Sequence, residues 1–233
     1  FRCSNQPAVE LATRLTGVAP DRFNRVFFTN SGSEANDTQI KFVHRYYQLL
    51  GKPQKRLIIS RKNAYHGSTI GASSLGGMNA MHQQTQGLNY IHHIEQPHWF
   101  ELGGDMSRDE FGLWAANELA KKIDELGEYN VAAFIAEPIQ GAGGVIIPPD
   151  TYWPAVKEIL NERDILFISD EVICGFGRTG EWFGFQTYDT EPDLVTFAKA
   201  VTNGYMPLGG CLVSDKVSDV LLASGGEFAH GLT

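Results

Sequence analysis

Two short runs without a charge set the terms on which this chain can fold. Residues 165–169 (ILFIS) and 194–198 (LVTFA) are apolar enough to be strands buried on both faces of a sheet. Each hands over to ionisable residues: Asp170 and Glu171 after the first, Lys199 after the second. In open α/β sheets, ligands bind beyond the carboxyl ends of the strands. An acid and an amine delivered to that edge form either a structural ion pair or the two ends of a ligand site.

The rest of the chain repeats the pattern. Apolar strand-like runs at 25–30, 56–60, 88–94, 131–137 and 209–214 alternate with stretches of helical periodicity. The first helix covers 7–16, with Val9, Ala12 and Leu15 on its buried side. The second begins near Ser33 and buries Ile40, Val43, Tyr47 and Leu50 before Gly51 ends it. A third, 111–126, turns Leu113, Ala116, Ala120, Ile123 and Leu126 inward, with Glu118 and Lys122 as an outer i,i+4 pair. A fourth, 152–163, buries Trp153, Val156, Ile159 and Leu160, and a last one covers 216–223. Strands alternating with helices predict an α/β fold with a mainly parallel sheet.

Composition narrows the partners. The 233 residues carry a net charge of −8, which argues against nucleic acid or an anionic membrane as the main partner. No apolar run approaches the roughly 20 residues needed to cross a bilayer. Cys3, Cys174 and Cys211 are widely spread without a CxxC pair, as expected of reduced thiols in a cytoplasmic protein. His66, His92, His93 and His98 match no common metal-ligand spacing, so no metal is expected.

Three stretches carry candidate chemistry. Ser31-Gly32-Ser33 lies between a strand and a helix, where backbone N–H groups and hydroxyls suit a phosphate; an ordinary serine cap reads the same way. The stretch is neither GxxxxGK[ST] nor GxGxxG, which disfavours nucleotide sites. Tyr65, in Asn63-Ala64-Tyr65-His66-Gly67 after a strand, either stacks on a flat ligand or is a rim tyrosine. Glu137, Asp170 and Lys199 each close a strand, and three ionisable groups so placed are harder to dismiss than one. Glu171 reads as a solvated or ion-paired acid, and Cys174 as a packing residue.

A lysine, an aspartate and a phosphate cradle together suit pyridoxal 5'-phosphate. The lysine amine forms a Schiff base with its aldehyde. A carboxylate keeps the ring nitrogen protonated, so the ring can accept electrons. A helix start holds the phosphate, and an aromatic covers one face of the ring.

At this point the chain resembles a known family, the class III (omega) aminotransferases of fold type I. The runs FISDEVICGFGRTG and DLVTFAKAVTNG carry the resemblance, with SGSEAND, NAYHG, AEPIQGAGG and the closing HGLT. It implies a mostly parallel, seven-stranded sheet flanked by helices, with residues 1–233 forming the cofactor-binding large domain. The family's N-terminal segment and C-terminal small domain would then lie outside this sequence. It also implies roles. Lys199 would bond the cofactor and then move the substrate's proton, and Asp170 would face the ring nitrogen. Val172 and Tyr65 would enclose the ring, Gly32 and Ser33 would hold the phosphate, and Glu137 would lie by the ring's hydroxyl. Ala142 would fall in the substrate pocket beside Tyr65. Thr233 would reach the phosphate of a neighbouring subunit, which implies a homodimer with shared sites.

Ile173 stands where 4-aminobutyrate-type relatives often carry Gln. The phrases around it most resemble the amine:pyruvate and putrescine:pyruvate branch. The implied reaction moves an amino group from a primary amine, diamine or omega-amino acid to a keto acid, pyruvate in that branch. The alternatives are an aminomutase, a decarboxylating relative, or a cofactor-binding module inactive in this truncated form.

Overall fold

The structure, a computed structural model, describes residues 4–224. Seven strands form one sheet: β1 Arg25–Thr29, β2 Leu57–Arg61, β3 Ile91–Ile94, β4 Val131–Ala136, β5 Leu166–Asp170, β6 Leu194–Phe197 and β7 Gly209–Val213, in the spatial order β1-β7-β6-β5-β4-β2-β3. β7 runs antiparallel to both its neighbours, and every other pairing is parallel. The fold is therefore α/β with a mostly parallel seven-stranded sheet, as the sequence predicts. All six residues of β4 are buried, as a strand covered on both faces requires.

Helices supply that cover. On one face, Gly32–Leu49 and Asp215–Ala223 bring Val43, Tyr46, Tyr47 and Val217 onto Ile58, Ile135, Ile168 and Leu194. On the other, Arg108–Leu126 and Tyr152–Glu162 pack Phe111, Leu119, Ile123, Trp153 and Val156 against Ile59, Phe134 and Phe167. A smaller cluster under the first helix, Gln6–Val18, joins Leu15 to Phe23, Phe183, Phe185 and Phe197. Complete burial of a side chain of this size is worth about 1.5–3 kcal/mol, so three such clusters dominate the stability.

Several details differ from the periodicity. Val9 and Leu113 are exposed, at 55% and 54%, because each lies at the margin of a helical stripe wider than the surface it covers, and Leu50, at 42%, is the C-cap just past the last residue of its helix. The expected Glu118–Lys122 pair is replaced by two i,i+3 pairs, Glu118–Lys121 and Lys122–Glu125. The helix expected from 111 begins at Arg108, because Ser107 and Glu110 cap each other's backbone N–H in a reciprocal box. β3 is limited to four residues, with 88–90 left as an approach to it. Among the described residues, no helix is long and apolar enough to cross a membrane.

Candidate active site

The carboxyl ends of β4, β5 and β6 and the start of the Gly32–Leu49 helix surround one cleft of about 300 Å³. That is the lower end of the range for small-molecule sites. Gly32, Ser33, Tyr65, Glu137, Asp170, Val172 and Lys199 all line it, so seven residues from five separate sequence stretches converge. Ala142 does not: it is exposed on the turn that closes the Gln140–Ile146 bridge. Thr233 lies outside the described residues.

Asp170 is almost fully buried at the end of β5. Its hydrogen-bond partner is His66, whose Nδ1 lies 2.7 Å from Oδ2, rather than Lys199. A carboxylate can only accept here, so the imidazole carries its proton on Nδ1. Asn36 Nδ2 donates to the same oxygen at 3.0 Å, and Val172 N donates to Oδ1 at 3.1 Å. His66 Nε2 is buried and has no hydrogen-bond partner among the described residues.

Lys199 leaves the end of β6 after Ala198, begins a short 3-10 turn, and is exposed. Its φ of 49° is left-handed. Such backbone costs a non-glycine residue about 1–3 kcal/mol and tends to mark functional positions.

The anion-facing side is the helix start. Ser31 caps the helix by accepting from Glu34 N at 3.2 Å, and Ala35 N bonds to Ser31 O. Among the described residues, no hydrogen bond occupies the N–H groups of Gly32 and Ser33. Ser33 Oγ accepts from Ser68 N at 3.0 Å, which ties the Tyr65–Ser68 segment to this start. Gly67, with φ at 132°, lies so close that a Cβ there would stand 2.4 Å from Ser33 Oγ. Two free backbone donors, the positive end of the helix dipole and two hydroxyls fit a phosphate. With an acid and an amine lining the same cleft, the donor set fits pyridoxal phosphate.

Glu137 is buried and joins two loops. Oε1 accepts from Tyr65 N at 3.2 Å and Oε2 from Gly141 N at 2.8 Å. Burial pushes its carboxyl above the usual range, Asp170 adds to that, and His66, the Gly141 N–H and Arg61 oppose it.

Two further contributors, Arg61 and Asn36, are not singled out by the sequence, which marks His66 only as a candidate metal ligand. Arg61 is buried at the end of β2, donates to the Glu137 carbonyl, and lies over the rings of Tyr152 and Trp153 at 6.0 and 5.6 Å. Asn36 and His66 hold Asp170, although both stand in stretches already flagged. Glu171, expected to be solvated or ion-paired, is instead fully buried. It accepts from Ser169 Oγ, Gly184 N and Phe185 N, and so anchors the 183–185 segment. An acid that ends a buried strand and is followed by a long glycine-containing loop is the signal that could have marked it. Cys174 is buried and makes only a weak contact with the Ile139 carbonyl, as a packing residue would. Among the described residues, no group of three or more His, Cys, Asp or Glu side chains is placed to hold a metal ion.

Comparison with known proteins decides the family. The model of the class III aminotransferases matches residues 2–233. This chain belongs to the class III aminotransferases. Members of the family depend on pyridoxal phosphate. The chain is 60% identical over 234 residues to a putrescine–pyruvate aminotransferase of Pseudomonas aeruginosa, covering all of this chain and 51% of that protein. It is 48% identical over 237 residues to a vanillin aminotransferase of Capsicum frutescens, covering 99% and 51%. An (S)-enantioselective omega-transaminase from Thermomicrobium roseum superposes with a TM-score of 0.96 at 43% identity, covering 99% of this chain and 52% of that one. The chain thus spans about half the length of the curated relatives it matches.

Proposed function

We propose that residues 1–233 are the cofactor-binding large domain of a pyridoxal-phosphate-dependent transaminase. It takes an amino group from a primary amine, diamine or omega-amino acid and delivers it to a keto acid, pyruvate in the first instance. One observation carries this: Asp170, Lys199 and the free helix start at Gly32-Ser33 line a single cleft. The family assignment and the 60% identity to a putrescine–pyruvate aminotransferase support it.

When bound, the cofactor supplies an aldehyde for the amine and a ring that accepts electron density from the substrate carbon. The chain's own residues supply the rest. Lys199 presents Nζ at the cleft as the nucleophile and the proton carrier. Asp170 offers a carboxylate to a protonated ring nitrogen. The N–H groups of Gly32 and Ser33 hold the phosphate. Val172 supports one face of the ring and Tyr65 covers the other. Glu137 keeps the Tyr65 and Gly141 loops together around the cofactor's hydroxyl side. We place Ala142 at the outer edge of the substrate path, on its exposed turn.

The working form in this proposal is a homodimer with shared sites, in which Thr233 reaches the neighbouring subunit's phosphate. We assign it to the cytoplasm on its cysteines, which are widely spread without a CxxC pair.

An absorbance spectrum after reconstitution with pyridoxal phosphate tests the assignment. The protein should gain a band near the visible edge that Lys199→Ala abolishes. A band that survives the substitution overturns the role of Lys199. Putrescine, 1-phenylethylamine and beta-alanine, added in turn, then rank the amine donors by how fast each converts the band.

A further inference from the structure

Behind Asp170 lies a file of buried polar side chains that never reaches the cleft. Asn36, Gln39 and Thr196 are completely buried, and none lines the cavity. Asn36 and Gln39 lie on one face of the Gly32–Leu49 helix, and Thr196 is in the middle of β6.

The direction of every hydrogen bond in this file can be deduced. Asn36 Nδ2 lies 2.7 Å from the His66 carbonyl oxygen, which can only accept, so the amide orientation is fixed. Its second N–H then donates to Asp170 Oδ2 at 3.0 Å. Asn36 Oδ1 must accept, and Thr196 Oγ1 donates to it at 2.6 Å. With its proton so used, Thr196 Oγ1 accepts from Gln39 Nε2 at 2.6 Å. Gln39 Oε1, at the far end, is buried and has no hydrogen-bond partner among the described residues.

All three dipoles therefore point the same way and end on a carboxylate. Aligned chains of this kind polarise one another in a low-dielectric interior. Asp170 has about four acceptor positions, of which His66, Asn36 and Val172 fill three. The remaining position is the one available to the cleft.

We propose that Gln39, Thr196 and Asn36 form a directional relay that positions Asp170, keeping its carboxylate turned to offer its last acceptor position to the ligand. This rests on the transaminase proposal only in naming that ligand as a protonated ring nitrogen. Thr196 and Asn36 are positioning residues: they act through Asp170 and touch neither substrate nor cofactor.

Thr196→Val tests the relay, because it keeps the shape and removes only the hydroxyl, and Thr196→Ser restores the hydroxyl. The first readout needs no cofactor: the His66 Nδ1 proton, observed by NMR. Weaker donation from Asn36 leaves more electron density on Asp170 Oδ2, so this resonance should move downfield in Thr196→Val and return to the wild-type position in Thr196→Ser. The second readout is the single-turnover rate with putrescine on the reconstituted protein. It should fall about tenfold in Thr196→Val, the loss expected from one weakened bond to a charged group, with half-saturation by amine unchanged and the rate restored by serine. An unmoved resonance, an equal shift in both variants, or an unchanged rate overturns the relay. If the wild type gains no band with pyridoxal phosphate, the transaminase proposal fails, and the relay is then judged on the His66 proton alone. Should Thr196→Val not fold, Gln39→Met removes the outermost donor and should move the same resonance in the same direction by less.

Discussion

Val172 is packed against the backbone of Gly32: a Cβ built on that glycine would stand 2.8 Å from Val172 Cγ2. The contact joins the loop after β5 to the helix start that offers Gly32 N–H and Ser33 N–H. Any side chain at position 32 must push one away from the other. Gly32→Ala is expected to weaken pyridoxal phosphate binding about tenfold and to cost about 1–3 kcal/mol of stability through overpacking. Absorbance titration and thermal melting measure the two effects. Adding Val172→Ala makes room for the new methyl, so the double variant should recover most of the lost stability. If the single variant binds as tightly as the wild type, the helix start does not depend on this contact.

The left-handed backbone at Lys199 makes a second prediction. Glycine normally destabilises relative to alanine, because it loses more freedom on folding. At φ of 49° the order should reverse, since alanine keeps the strain and glycine releases it. Cofactor-free Lys199→Gly is expected to be more stable than Lys199→Ala by about 1 kcal/mol, and neither should give the cofactor band. Denaturant melts of the two variants decide it; alanine equal to or above glycine would show that the backbone is not strained there.

These two contacts mark what the sequence could and could not reveal. The alternation of apolar runs with helical periodicity was enough to place all seven strands, because the five inner strands are covered on both faces and so are apolar along most of their length, and the edge strands β1 and β3 keep enough apolar residues to stand out. It could not show which residues of a helical stripe run past the edge of the sheet, so Val9 and Leu113 were misjudged. Strand ends flagged Asp170 and Lys199 because ionisable groups directly after apolar runs stand out. The partners of Asp170 did not stand out in the same way. Thr196 sits inside an apolar run and Asn36 inside a helix, and each acquires its role only through contacts 134 to 160 positions away in sequence. Glu171 was read as solvated or ion-paired because the groups that bond it, Gly184 N and Phe185 N, lie 13 and 14 positions further along the chain.

Arg61 carries a third prediction. Its guanidinium is buried, donates to the Glu137 carbonyl, and lies over the rings of Tyr152 and Trp153. Lysine cannot reproduce a planar group against two rings, and a buried ammonium is more costly to desolvate. Arg61→Lys is therefore expected to lose about 2–4 kcal/mol in a denaturant melt, despite keeping the charge. Arg61→Met, which keeps the bulk without the charge, should lose less than Arg61→Ala. If lysine is neutral at this position, the stacked guanidinium is not what stabilises the junction of β2 and β4.

Glu171 gives the clearest pH dependence. Burial pushes its carboxyl up from 4.5 to about 7, against the pull of the N–H groups of Gly184 and Phe185 and the Ser169 hydroxyl. For an acid with a raised folded-state value, the sign is fixed. Below about 4.5 both folded and unfolded states are protonated, and the contribution to stability is fully present. Between 4.5 and about 7 the unfolded chain gives up its proton while the folded protein retains it, so stability falls as pH rises. Above about 7 both are ionised and the loss is complete, at about 3 kcal/mol from the size of the shift. Glu171→Gln removes the titration. Its amide nitrogen must also face the N–H of Gly184 or Phe185, so the variant should be less stable than the wild type at pH 5. The gap should narrow toward pH 8, where the wild type has lost its contribution. Chemical denaturation of both proteins at half-unit steps from pH 5 to 8 measures the difference directly, and a gap that stays constant across that range would show that Glu171 does not titrate there.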